Sequence, residues 1–296
     1  MKKGRLFNFI YGFCLVAFTA FAVLDTFIIP RRYSSVSDVQ TSAEITASTA
    51  APEVSDSVSS ADGGVSVTVK TYRQYDTNIY VADVVLESAG SLKTALADNS
   101  YGRNIKEATS VTAQNVNAVL AVNGDFYGAR SSGYVIRNGV LYRSSSAGEE
   151  QEDLVISAAG DFSIIKEGQT SAQALLDGGA QQVLSFGPGL IENGAVTVSE
   201  GDEVGRSKAS NPRTALGQID SLHYVFVVSD GRTSESTGLS LYQLAEFMQS
   251  LGVQTAYNLD GGGSSTMYYN GSVINNPTTD GSTIKERSVS DIVYIG

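Results

Sequence analysis

The chain has 296 residues, 42% of them hydrophobic, with one histidine, one cysteine and no tryptophan. Its first 33 residues hold five basic and one acidic residue, leaving 15 Lys and Arg against 30 Asp and Glu in the remainder. So acidic a remainder repels nucleic acid and anionic lipid, and without cysteine it has no disulfide, thiol nucleophile or thiolate metal site.

Residues 1–30 read as a membrane anchor or signal segment. Lys2, Lys3 and Arg5 precede an apolar run over residues 6–24, about 19 residues at 1.5 Å each against a hydrocarbon core of about 30 Å. Ala20-Phe21-Ala22 has the form of a signal-peptidase site, but the apolar run continues through Phe27, Ile28 and Ile29, which favours an uncleaved anchor. The expected localisation is a single pass of the cell membrane, with the N-terminus cytoplasmic and the rest outside. Residues 31–64, rich in Ser, Thr and Ala, bury too little apolar surface to repay ordering and read as a flexible stalk.

Residues 65–296 read as a single α+β domain, strand-rich, with a mixed sheet containing a βαβ unit. Short β-branched and aromatic runs such as VSVTVKTY, IYVADVVL, LVISAAGDFSII and the terminal DIVYIG alternate with glycine. Asn-Gly pairs beginning at Asn138, Asn193 and Asn270 predict hairpins.

Two stretches ahead of the centre carry candidate site residues. VLAVNGDFYG, residues 119–128, is a strand ending in Asn123, Gly124, Asp125, Phe126 and Tyr127. An amide, a carboxylate and two aromatics suit a sugar, whose hydroxyls need polar partners and whose faces pack on rings; a hairpin with two core aromatics fits equally. NPRTALG, residues 211–217, sets Arg213 just before a strand, where its planar fork could hold phosphate or serve a structural ion pair.

The centre is residues 224–269. A strand over 224–229 is stopped by Asp230-Gly231. A helix follows through Leu241, Leu244, Phe247, Met248 and Leu251, with Ser240 and Gln243 as a capping box and Gly252 as its stop. A second strand runs over 253–259, and a right-handed crossover would make the two strands parallel, with both carboxyl ends at one sheet edge. Asp230 and Asp260 then emerge together, at the edge where open α/β sheets bind ligands. Gly261, Gly262 and Gly263 free backbone N–H groups to approach an anion, and Ser264, Ser265 and Thr266 add hydroxyls. His223 starts the first strand, roughly 20 Å from Asp230 at about 3.3 Å per residue, which argues against a Ser-His-Asp triad or a histidine zinc site.

NGDFYG, FGPGLIENG, NPRTALG, VVSDGR and NLDGGGSSTMYYNG, in this order, resemble the phosphodiester glycosidase family over roughly residues 115–296. The resemblance implies hydrolysis of a sugar-1-phosphodiester to free sugar and a phosphomonoester, in a cell-wall or exopolysaccharide glycopolymer. It points to Asn123, Arg213, Asp230, Asp260, Gly261, Gly262, Ser264 and Ser265. Cleavage of the anomeric C–O bond needs one carboxylate as nucleophile or base and donors for the phosphate. Asp260 is expected in the first role, with Asp230 as its partner or as an acceptor for a sugar hydroxyl. Arg213 and the N–H groups of Gly261, Gly262 and Gly263 are expected on the phosphate, with Asn123, Asp125, Ser264 and Ser265 on the substrate. No cofactor is expected. Two alternatives stay open: a metal-dependent phosphodiesterase with Asp125, Asp230 and Asp260 around Ca²⁺ or Mg²⁺, and a non-catalytic glycopolymer-binding protein.

Overall fold

The apolar runs become strands because their side chains alternate between two packed faces. In His223–Ser229, Tyr224, Phe226 and Val228 enter one core cluster while Val225 and Val227 enter another on the opposite face. A strand covered on both sides reads as one continuous apolar run, which is why its sequence shows no polar alternation. The structure is a computed structural model that describes residues 17–19, 31–35, 57–60, 64–204 and 210–296.

The main sheet has eight strands, in the order Ala195–Val196, Gly189–Glu192, Thr255–Asn258, Arg213–Asp220, His223–Ser229, Thr77–Leu86, Val65–Gln74 and Ser57–Ser60. A second sheet orders Ser272–Val273, Met267–Tyr269, Leu120–Asn123, Asp291–Ile295 and Leu92–Leu96. A third orders Phe162–Lys166, Glu152–Ser157, Ala180–Leu184, Val135–Arg137 and Val140–Arg143. One cluster, drawn from all three sheets, forms the central core of this strand-rich domain.

The helices α1 (Thr109–Asn115), α2 (Ala172–Asp177) and α3 (Leu241–Ser250) cover the outer faces. The signals read for α3 act as expected. Ser240 Oγ accepts from Gln243 N at 3.1 Å, Gln243 Oε1 accepts from Ser240 N at 3.0 Å, and Gly252 takes φ +84°. All three Asn-Gly pairs turn hairpins with both residues at positive φ, joining strands that pair antiparallel.

The expected mixed sheet with a βαβ unit needs correction. Every strand pairing among the described residues is antiparallel. Arg213–Asp220 lies between the two strands that flank α3 and runs antiparallel to both. The physical reason is proximity in the chain: Arg213–Asp220 and His223–Ser229 are joined by two residues and close as a hairpin. Two antiparallel steps leave the outer strands pointing the same way, so their carboxyl ends still share an edge. His223 sits at the other end of its strand, its Nε2 2.9 Å from Asp83 Oδ1.

The single-pass membrane localisation is also corrected. No helix among the described residues is long and apolar enough to cross a membrane. Of the expected span, only residues 17–19 are described, and three helical residues rise about 4.5 Å. Within the expected stalk, Arg31–Ser35 pairs with Ser100–Arg103 and Ser57–Ser60 with Val65–Gln74, while residues 36–56 and 61–63 lie outside the described residues.

One buried acid sets a pH dependence. Asp153 is fully buried on Glu152–Ser157, and burial first, then the negative charge of Glu167, pushes its carboxyl up to about 9. A raised native pKa means the contribution is full below the ordinary value of 3.8 and is lost as pH rises through about 9. Asp153→Asn should therefore be more stable than the parent at pH 8, by about 1 kcal/mol or more, since each unit of displacement corresponds to about 1.4 kcal/mol. Thermal melts from pH 5 to 9 check this; equal slopes for both proteins would refute it.

Candidate functional site

Three strands of the main sheet bring their ends to one edge. Ser229 is paired with Arg213, and Asn258 with Ala215, so Asp230, Asp260 and the start of Arg213–Asp220 lie side by side. Pro212 sits between the two Asp-Gly turns. A Cβ on Gly231 would stand 2.7 Å from Pro212 Cδ, and one on Gly261 would stand 2.8 Å from Pro212 O. Both turns need glycine because the chain passes that close.

At this edge Asp260 is the carboxylate with capacity to spare. Its Oδ2 accepts from Ser264 Oγ at 2.6 Å and from Arg287 Nη2 at 3.1 Å, and its side chain keeps 12% exposure. Arg287 also donates from Nε to Ser264 Oγ at 2.9 Å and from Nη2 to Gly261 O at 3.2 Å. Burial raises the Asp260 pKa, while Arg287, the hydroxyl of Ser264 and the backbone N–H of Gly261 oppose the rise.

The glycine loop is folded inward. Gly262 N donates to Pro212 O at 2.8 Å, Ser264 N to Gly261 O and Ser265 N to Gly262 O, so these N–H groups are spent within the protein. A Cβ on Gly263 would meet Thr279 Oγ1 at 2.1 Å, and Gly262 holds φ +62° with Arg232 Nη2 only 2.8 Å from its absent Cβ. Close packing accounts for Gly261, Gly262 and Gly263 here. Ser265 is wholly buried, with an Oγ that has no partner.

The NGD motif joins three sheets. Asn123, fully buried, accepts at Oδ1 from Thr214 Oγ1 at 2.8 Å and donates from Nδ2 to Asp260 O at 2.7 Å. Gly124 leaves room for Asp291, whose Oδ1 would stand 2.4 Å from a Cβ there. Asp125 accepts from Arg137 Nη2 at 2.8 Å and from Ser185 N at 2.9 Å, and Arg137 Nε donates to Asp291 Oδ2 at 2.8 Å. The result is a buried carboxylate, guanidinium, carboxylate row directly behind the edge. Burial raises the Asp291 pKa, opposed by Arg137, and the charges of Asp125 and Asp260 raise it further. Asn123 and Asp125 thus hold the frame of the site, and their side chains are closed to solvent.

Asp230 and Arg213 are also committed. Asp230 accepts from Tyr80 OH at 3.1 Å, Asn275 Nδ2 at 3.3 Å, Asn276 N at 2.8 Å and Asn276 Nδ2 at 3.2 Å, which occupies both oxygens. Arg213 donates to Glu203 Oε2 at 2.6 Å and to Leu239 O at 2.9 Å with its side chain buried, the ion-pair alternative read for it. Among the described residues no three His, Cys, Asp or Glu side chains are grouped to hold a metal. Asp125, Asp230 and Asp260 turn to separate partners, so they do not gather around a cation.

Two arginines not assigned from sequence take the exposed positions. Arg287 reaches Asp260 from 27 residues downstream. Arg232 lies over Gly262, held by Asn211 Oδ1 at 3.1 Å and Thr279 O at 2.7 Å. Its pKa is lowered by burial and by the positive charge of Arg287, so the two guanidinia share one small region beside Asp260. Arg232 stands in the quoted VVSDGR; Arg287 has no local signal.

A solvent-reaching carboxylate bonded by one guanidinium, with a second over the adjoining glycine loop, can take a proton beside a bound anion. Residues 116–296 match the phosphodiester glycosidase (NAGPA) family model, and the chain belongs to that family. It is 30% identical over 201 residues to the SPbeta prophage-derived uncharacterized protein YomE of Bacillus subtilis, covering 66% of this chain and 30% of that protein. It is 33% identical over 184 residues to mouse N-acetylglucosamine-1-phosphodiester alpha-N-acetylglucosaminidase, covering 56% of this chain and 35% of that protein. The chain thus spans about a third of the length of these relatives. The catalytic domain of the zebrafish enzyme shares the fold, with a TM-score of 0.63 at 21% identity over 81% of this chain and 86% of that one.

Asn123→Ala leaves the Thr214 hydroxyl and the Asp260 carbonyl without their partner, and should lower stability by about 1–3 kcal/mol. Arg213→Met removes the donor to Glu203 Oε2 and to the buried carbonyl of Leu239 and should cost about 1–3 kcal/mol. Urea unfolding measures both, and a change under 0.5 kcal/mol in either variant would contradict the corresponding assignment.

Proposed function

We propose that this chain hydrolyses a sugar-1-phosphodiester at the anomeric C–O bond, releasing free sugar and leaving the phosphate as a monoester on the other part. The observation that carries it is Asp260, held on one oxygen by Ser264 and Arg287, with Arg232 against Gly262 of the same glycine loop. The substrate carries one negative charge at the bridge and gains another as it leaves. Arg232 and Arg287 supply fixed positive charge there at no cost of reorganisation. Asp260 takes the proton of the attacking water as the new C–O bond forms, and the old bond breaks with its electron pair going to the phosphate. That leaving group is already stable as an anion, so the site needs little general acid, consistent with the commitment of Asp230 to the loop at Asn275 and Asn276.

The relatives named above lend the sugar: N-acetylglucosamine in α linkage is the first substrate to offer. The likeness read from sequence lends the other part, the next unit of a phosphate-bridged cell-wall or exopolysaccharide glycopolymer. The remaining residues have supporting parts in this reading. Asn123 sets the backbone of Asp260, and the row from Asp125 through Arg137 to Asp291 keeps negative charge behind it.

Asp260→Asn should abolish turnover, by about 10³-fold or more, with the fold preserved by circular dichroism. Product analysis decides the bond: free sugar with a phosphomonoester supports the reading, and a sugar phosphate refutes it. The acid limb of kcat/KM reports the ionisation of Asp260. Arg287 is a group that lowers its pKa, so Arg287→Met should move that limb to higher pH. Arg232→Met should raise KM about tenfold and leave the limb in place. An acid limb unmoved in Arg287→Met would remove Asp260 from the proton transfer.

A further inference from the structure

The edge that carries Asp260 continues to a cavity on the side away from Arg232. Gly189–Glu192 pairs antiparallel with Thr255–Asn258, Gly189 opposite Tyr257, so residues 187 and 188 reach the edge one strand over from Asp260. Asn258 ties the two together, donating from Nδ2 to Gly187 O at 2.8 Å and from N to Pro188 O at 3.1 Å. There an open cavity of 340 Å³ is lined by Glu150, Gln151, Glu152, Phe186, Gly187, Pro188 and Val204. Along the edge the order is therefore cavity, Asp260, Pro212 and then Arg232, with neighbouring strands about 4.8 Å apart.

The lining has a definite chemistry. Gln151 spends Nε2 on the carbonyls of Glu152 at 2.6 Å and Phe186 at 3.4 Å, and Pro188 has no N–H. Glu150 and Glu152 are carboxylates; Glu152 commits Oε2 to Gly189 N, and Glu150 pairs with Lys166, which is not part of the lining. What the cavity offers is chiefly acceptors, an aromatic ring and the apolar side chain of Val204. Arg130 covers the Phe186 ring with its guanidinium 5.0 Å from the centroid and donates to Ser185 O at 3.1 Å, which holds that ring in place from outside the cavity. An acceptor-lined cavity against a fixed ring suits a ligand rich in O–H or N–H donors with an apolar face, and offers nothing to a phosphate.

The geometry points to this cavity as the subsite for the pyranose ring, so that the substrate lies across the strand ends with its sugar on Phe186, its anomeric carbon at Asp260 and its phosphate on Arg232 and Arg287. This rests on the hydrolase reading and adds two things to it: the side of the edge that each half occupies, and selection for a ring without negative charge. A hexuronate would bring its carboxylate against Glu150 and Glu152.

The test uses ligands with no scissile bond, so it is decided separately from turnover. Binding of methyl α-glycosides of a neutral hexose, an N-acetylhexosamine and a hexuronic acid to the full chain is followed by ligand-observed NMR, with inorganic phosphate as competitor. The neutral glycosides should bind, the uronate at least tenfold more weakly, and phosphate should not displace them. Phe186→Ala should weaken the neutral glycosides at least tenfold. Glu150→Gln, at a side chain 85% exposed, should narrow the preference against the uronate severalfold in a protein that melts as the parent does. No binding by the parent, equal binding of the uronate, displacement by phosphate, or unchanged affinity in Phe186→Ala would each overturn the subsite. Absence of turnover on sugar-1-phosphodiesters, with these bindings intact, would instead sink the hydrolase reading and leave the sugar site standing.

Discussion

The structure depends on one side-chain amide. Asn123 leaves the end of a strand in the second sheet and is sealed from solvent, and its two ends bond Thr214 and Asp260 of the main sheet. In so dry a position a hydrogen bond is strong when made and costly when missing, so the amide fixes the relative placement of the two sheet ends. Because the carbonyl of Asp260 is held from below, its carboxylate is directed to Ser264 and Arg287. The two residues that follow extend the same junction. Gly124 admits Asp291, and Asp125 draws Arg137 and the backbone of Ser185 in from the third sheet.

Two Asp-Gly turns at one edge end in different roles, and hydrogen-bond supply explains the difference. Asp230 meets four donors, and its carboxylate anchors the loop at Asn275 and Asn276. Asp260 meets Ser264, Arg287 and the backbone N–H of Gly261, and still reaches solvent. A carboxylate sealed among its donors stabilises a loop; one that reaches solvent can take a proton or meet a substrate.

The arginines divide in the same manner. Arg137 and Arg213 are buried and spend their forks on carboxylates and carbonyls, and removing Arg137 would strand the buried charges of Asp125 and Asp291. Arg232 and Arg287 stand near one another beside Asp260, which raises their mutual repulsion and makes the place favourable for an anion. In a domain this acidic, such a pair of cations at the mouth of a site is a strong local departure from the surrounding field.

The sequence by itself determined what short-range chemistry controls. The capping box of α3 and the three Asn-Gly hairpins follow from signals a few residues long, whose hydrogen bonds close locally, and the length of one strand sets His223 at the opposite end from Asp230. Tertiary structure alone decided the rest. Arg213–Asp220 enters between the two strands around α3, Arg213 turns to Glu203, the glycine loop packs on Pro212 and Thr279, and Arg287 and Asp291 arrive at the site from the end of the chain. Those contacts join residues from 10 to 154 positions apart, and nothing in the local pattern of an Arg or an Asp tells which partner will desolvate it.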